Sequence, residues 1–197
     1  MDNLLRDLIS GDETLAEAAM HKLIALGDEV FPTIRSLLDS PNADHRWWAL
    51  SVLAQIEGAD INWMLTALDD EVVEVRQSAA LGLSIYPNSK TVSALIRSLY
   101  DEDSMVSTLA SNALGKIGED AVLPLLVVLD KKKSKIKKTQ EQAARLGAMR
   151  ALAKIADPRA IPAMMTALEE EDSLFLKHWA EVGLKELGQE MVYFNMD

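Results

Sequence analysis

The chain has 197 residues, 31 acidic and 20 basic, for a net charge of −11, and 49% of it is hydrophobic. The absence of cysteine excludes disulfides and thiolate metal sites. No apolar run approaches the roughly 20 residues that span a bilayer, and the strongly acidic first half, 17 acids against 7 bases over residues 1–102, argues against nonspecific nucleic-acid binding, which depends on clustered Lys and Arg.

The first 18 residues carry acids early and no unbroken apolar core, so they do not read as a signal peptide. A soluble cytoplasmic protein is expected. Hydrophobic periodicity then predicts helices in pairs: 2–9 with 13–26, 29–39 with 43–57, 60–69 with 72–85, and 90–101 with 104–117. Two more pairs follow, 119–130 with 139–155 and 159–170 with 173–187. Each second helix carries Ala-x-x-x-Leu-x-x followed by a large residue. The alanines are Ala19, Ala49, Ala79, Ala110, Ala148 and Ala180. The leucines are Leu23, Leu53, Leu83, Leu114, Leu152 and Leu184, and the third positions are Leu26, Ile56, Tyr86, Ile117, Ile155 and Leu187. Alanine permits close helix approach, and the leucine one turn on fills the space beside it. Pro32, Pro124 and Pro162 stand near the starts of first helices, where a missing N–H costs least. Glycines mark turns at Gly27, Gly58, Gly118 and Gly188.

The leucine spacings are 30, 30, 31, 38 and 32 residues. A period of this kind is the mark of a stacked repeat protein, expected as one domain over 1–197. Its repeats fall at about 1–27, 28–57, 58–86, 87–118, 119–156 and 157–190, and the tail 191–197 is expected to fold back as a cap. The long spacing marks an insertion at 131–142. It holds Lys131, Lys132, Lys133, Lys135, Lys137 and Lys138. As a basic run it is a solvated loop or helix extension, or a docking point for an anionic partner.

The stretches EVVEVRQSAALGLSI (71–85) and ASNALGKIGEDAVLPLLVVLD (110–130) resemble HEAT repeats, in the short HEAT-like form of the phycobilisome-lyase (PBS lyase) type. The resemblance implies an all-α fold, a right-handed α-solenoid of about six helical hairpins. It also implies a ladder of arginines early in the second helices paired with turn carboxylates. Here Arg46, Arg76 and Arg145 sit three residues before the alanine, with Lys177 in the last copy; Asp39, Asp69, Asp70, Glu169 and Glu170 are the candidate acids. Ala16 and Ser107 interrupt the ladder. In function, the resemblance spans scaffolds, chromophore lyases, a hydroxylase and a DNA glycosylase group.

Chemistry-bearing constellations are sparse. His21, His45 and His178 lie in different repeats without metal-ligand spacing, and the resembled hydroxylases need His-Glu pairs that this chain does not have. No phosphate loop or nucleophile elbow occurs. Neither catalytic residues nor a metal or cofactor site is expected. His45 takes the place of Val75 and Val106 in other repeats and is expected to be partly buried. The resembled fold lines its concave side with second helices. That places Trp47, Ser51, Gln55, Gln77, Leu81, Ile85, Thr108, Asn112 and Lys116 along a groove. Trp47 stands there among otherwise polar neighbours, as either a binding hot spot or an inter-repeat packing residue. Trp48, Trp63 and Trp179 are read as packing.

The leading reading is a non-catalytic adaptor, scaffold or regulator, a monomer or weak oligomer that binds a protein on its concave face. Two alternatives stand beside it. One, from the resemblance, is a bilin lyase or chromophore-handling protein. The other is an acidic inhibitor or immunity-type protein with a basic partner. It rests on the charge of residues 1–102, which hold 17 acids against 7 bases, while residues 103–197 hold 14 against 13.

Overall fold

The computed structural model describes residues 1–130, 137–170 and 173–189, with the side chain of Glu170 left out. Lys131, Lys132, Lys133, Lys135 and the tail 191–197, on which expectations were placed above, lie outside them. Among the described residues there are twelve α-helices and no strand. They group into two compact units, Met1–Ala94 and Leu95–Asp197.

In the first unit the helices are α1 (Asp2–Leu8), α2 (Glu13–Ala25), α3 (Phe31–Leu38), α4 (Ala43–Leu53), α5 (Ile61–Ala67) and α6 (Val73–Ile85). The second helices α2, α4 and α6 stack in order, and α1, α3 and α5 each cover one of them. Helix α7 (Val92–Ser98) crosses from one unit to the other. In the second unit α8 (Ser104–Ile117), α10 (Lys138–Ile155) and α12 (Leu174–Glu186) stack in the same way, with α9 (Val122–Leu129) against α10 and α11 (Ile161–Glu170) against α12. Each unit is thus a stack of helical hairpins of the solenoid kind.

The helix starts are built from short polar side chains. Asp12, Asn42, Asp103 and Ser173 accept hydrogen bonds from early backbone N–H groups of α2, α4, α8 and α12, where the helix has no preceding turn to supply an i−4 acceptor. Several first helices open on a 3-10 turn, at Gly27–Val30, Ser89–Thr91, Glu119–Ala121 and Pro158–Ala160. Asp157 caps the last of these. Its carboxyl is held down to about 2 by hydrogen bonds from the Arg159 side chain and then its backbone N–H.

The alanine and leucine columns form the core: all twelve residues are at most 2% exposed. The third column does not follow them. Leu26 and Tyr86 are 39% and 42% exposed, whereas Ile56 is buried. Helix α2 ends at Ala25 and α6 at Ile85, so Leu26 and Tyr86 are cap residues off the apolar face. Helix α4 stops at Leu53, short of the expected 57, because the chain tightens into i→i+3 hydrogen bonds from Gln55 to Val52 and from Ile56 to Leu53. It then turns at Gly58, whose φ of +88° favours glycine.

The second helices also approach their neighbours through glycine. A Cβ on Gly183 would overlap the Met164 side chain and lie 3.0 Å from the Ala153 Cα. Alanine gains about 1 kcal/mol of helix propensity, but backbone cannot yield as a side chain can. Gly183→Ala is therefore expected to cost a net 1–2 kcal/mol, roughly, and to lower the thermal midpoint. A raised midpoint would mean that Met164 and α10 move aside.

Candidate functional site

The exposed face of the second helices holds the positions singled out in the sequence, and it differs in character between the two units. In the first unit Trp47 and Ser51 lie one turn apart on α4, and Gln77, Leu81 and Ile85 follow on α6 at the same spacing. Trp47, Leu81 and Ile85 are 36%, 51% and 43% exposed. Ser51 Oγ donates to the Trp47 carbonyl at 2.9 Å. Gln55 lies beyond the end of α4 and folds back, its Nε2 donating to the Ser51 carbonyl at 3.1 Å and reaching Met20 Sδ at 3.9 Å.

The tryptophans divide between surface and packing. Trp47 and Trp48 meet edge to face, ring centroids 4.7 Å apart. Both line a cleft of 360 Å³ between the starts of α2 and α4, with Asp12, Glu13, Asp44 and His45. Trp63 meets Phe31 edge to face and ties α5 to α3. Trp179 lies under the Arg150 guanidinium at 5.4 Å.

Beneath this face an ion pair ties successive turns together. Arg46 is buried, and its Nε and Nη2 donate to the two carboxylate oxygens of Asp70 at 2.7 and 2.8 Å. Its Nη1 donates to the Ser40 carbonyl at 2.8 Å. Asp70 also accepts the Val72 N–H at the start of α6, at 2.9 Å. Burial by itself would raise the Asp70 carboxyl. The hydrogen bonds from Arg46 and then Val72 outweigh burial and hold the group below the usual carboxylate range. The Asp70 bond in turn raises the Arg46 guanidinium. Arg76 Nη1 donates to the Asp70 and Glu71 carbonyls at 3.0 and 3.3 Å. In the second unit Arg145 and Lys177 are half-buried at the equivalent places. At the two interruptions, Ala16 is core and Ser107 bonds back to the Ser104 carbonyl.

In the second unit the face is polar and basic. Thr108, Asn112 and Lys116 occupy successive turns of α8, and each of the first two receives a bond from α10. Arg150 Nη1 donates to Thr108 Oγ1 at 3.4 Å, and Lys154 Nζ donates to Asn112 Oδ1 at 2.6 Å. Sequence reasoning missed Arg150 and Lys154. The signal was available: they stand two and six residues after Ala148, in the columns of Asn112 and Lys116. The Lys154 ammonium is held below its ordinary value by burial, then by the neighbouring charges of Arg150 and Lys116. Of the lysine run, Lys137 and Lys138 are described, and both are exposed at the start of α10.

His45 is half-buried, its Nδ1 3.1 Å from Ser40 Oγ, while His21 and His178 are exposed. Among the described residues no group of three or more His, Asp or Glu is placed to hold a metal ion, and no helix is long and apolar enough to cross a membrane.

Residues 61–139 match the family described as HEAT repeats, and residues 144–170 match the PBS lyase HEAT-like repeat. Among solved structures, the chain is similar to a designed armadillo repeat protein at 20% identity and a TM-score of 0.53, covering 94% of this chain and 98% of that one. It is similar to a designed armadillo repeat protein in complex with the peptide (KR)4 at 18% identity and a TM-score of 0.50, covering 93% and 98%. It is also similar to human deoxyhypusine hydroxylase in complex with glycerol at 21% identity and a TM-score of 0.55, covering 95% and 73%. At such identities the likeness is one of fold. No curated protein matches the chain.

Proposed function

Since this chain is a HEAT-like repeat protein, we propose that it is a non-catalytic, cytoplasmic interaction module that holds a polypeptide along the exposed face of its second helices. One observation carries the reading. On α6, Leu81 and Ile85 stand one turn apart and half-exposed, while Ala79, Ala80 and Leu83 of the same helix are buried. Trp47 adds an aromatic on α4, in the neighbouring layer of the stack. Single exposed apolar residues need no explanation. Three on the second-helix face of adjacent layers, beside the amides of Gln55 and Gln77, have the make-up of a hot spot with a polar rim. The designed armadillo repeat protein that holds a peptide supports the reading only at the level of fold.

The face can be tested by placing a photo-crosslinking amino acid at position 81 and recovering the crosslinked protein from the host. Leu81→Ala and Trp47→Ala are each expected to weaken the recovered partner at least tenfold, on the order of 1.4–2 kcal/mol, with unchanged helicity. Unchanged affinity in both variants would remove this surface from the function.

A further inference from the structure

We infer that the second-helix face of the Leu95–Asp197 unit is a carboxylate-binding strip, built by Arg150, Lys154 and Lys116 for an acidic segment of a protein partner. The inference rests on the interaction-module reading and gives that partner a chemistry.

Three cations converge on one face of α8 and α10. Lys154 and Arg150 lie one turn apart on α10, and Lys116 lies one turn beyond Asn112 on α8. Their closeness is electrostatic as well as geometric, because Arg150 and Lys116 both act against the charge on Lys154. Like charges brought together and partly desolvated are unfavourable unless something answers them. Among the described residues nothing does so for two of them: neither Arg150 nor Lys154 forms an ion pair. Asn112 and Thr108, which do bond them, are neutral. Of the Arg150 guanidinium, Nη1 has an acceptor at 3.4 Å, while Nε is buried without one. Glu186 takes the corresponding place on α12 and makes no ion pair among the described residues, so the basic strip ends at α10.

The cations are held in place before any ligand arrives. Trp179 supports the Arg150 guanidinium from below, and Asn112 fixes the Lys154 ammonium at 2.6 Å. Such preorganisation reduces the entropy lost on binding. Three charges suit a short run of Asp or Glu better than a nucleic-acid backbone. A net charge of −11 on the whole chain opposes a long polyanion far more than a short acidic segment. The aromatic face that a base would stack on is already occupied by Arg150.

The test uses the full chain and a short fluorescein-labelled peptide alternating Glu and Ser, read by fluorescence anisotropy at low salt. Binding is expected, falling steeply with added salt. It should weaken at least about tenfold in Lys154→Glu and in Arg150→Gln, with unchanged circular dichroism, and remain unchanged in Leu81→Ala. A peptide alternating Lys and Ser should not bind. The inference fails if the Glu peptide does not bind, if both variants bind it as tightly as the parent, or if a single-stranded oligonucleotide binds more tightly than the peptide. Should it fail while Leu81→Ala still releases the crosslinked partner, the interaction module stands and only the acidic chemistry is lost. If the peptide binds through Lys154 and no partner depends on Leu81, the strip stands and the apolar surface falls.

Discussion

Leu53→Ala is expected to destabilise the protein by about 2–5 kcal/mol, and Leu26→Ala by less than about 1 kcal/mol, although both leucines belong to the same repeated motif. Leu53 is fully buried in α4, the middle member of the α2–α4–α6 stack. Truncating it removes most of a buried side chain from water-free packing and leaves a cavity that two neighbouring layers would have to collapse to fill. Leu26 caps α2 and is already 39% exposed, so less of its surface is lost from burial than at Leu53, and its place is open to water and leaves no enclosed cavity. Urea unfolding of the two variants, with the slope of the transition checked against the parent, measures both costs. Similar losses at the two sites would mean that the third position of the motif is core after all.

Asp70→Ala is expected to cost about 3 kcal/mol, the low end for breaking a buried pair by removing one partner. Arg46 then keeps its charge in a site where its side chain is 10% exposed, with only the Ser40 carbonyl left to bond. The same change removes the acceptor for the Val72 N–H at the start of α6. Replacing both partners by apolar residues, Arg46→Met with Asp70→Leu, should recover most of the loss, because no orphaned charge is left behind. A double-mutant cycle separates the pair from the two single effects.

The pair also sets a pH dependence. In the unfolded chain an aspartate titrates near about 3.9, and folded Asp70 titrates lower. The folded state therefore holds the carboxylate more strongly in its charged form. That contribution is complete at neutral pH and stays so down to about pH 4; it is lost as the pH falls through the lowered folded value. Asp70→Asn should flatten the loss of stability below about pH 4 relative to the parent. A single-mutant cost under about 1 kcal/mol together with an unaltered acid limb would show the pair to be dispensable.

Much of this architecture can be read from residue spacing, because the period of the alanine and leucine columns is set by helix geometry and needs no knowledge of neighbours. The residues placed one turn apart by that reading, Thr108 and Asn112 or Leu81 and Ile85, do share a face. Arg150 and Lys154 followed from the same columns, had these been carried past the fourth repeat. The ends of helices were less legible. Whether Gln55 continues α4 or Leu26 continues α2 depends on competing 3-10 bonds and caps worth about 1 kcal/mol each, too little for hydrophobic pattern to decide.

What the sequence determined by itself was the hairpin repeat and its two core columns. These depend on interactions within a few residues of one another and on a pattern repeated six times. Tertiary structure alone decided which of several acids Arg46 would take, at a separation of 24 residues. It also decided that Trp179 would hold Arg150, and that Arg150 and Lys154 would stand without a carboxylate among the described residues. Charge pairing depends on distance through space, and only the packing of one layer on the next sets that distance.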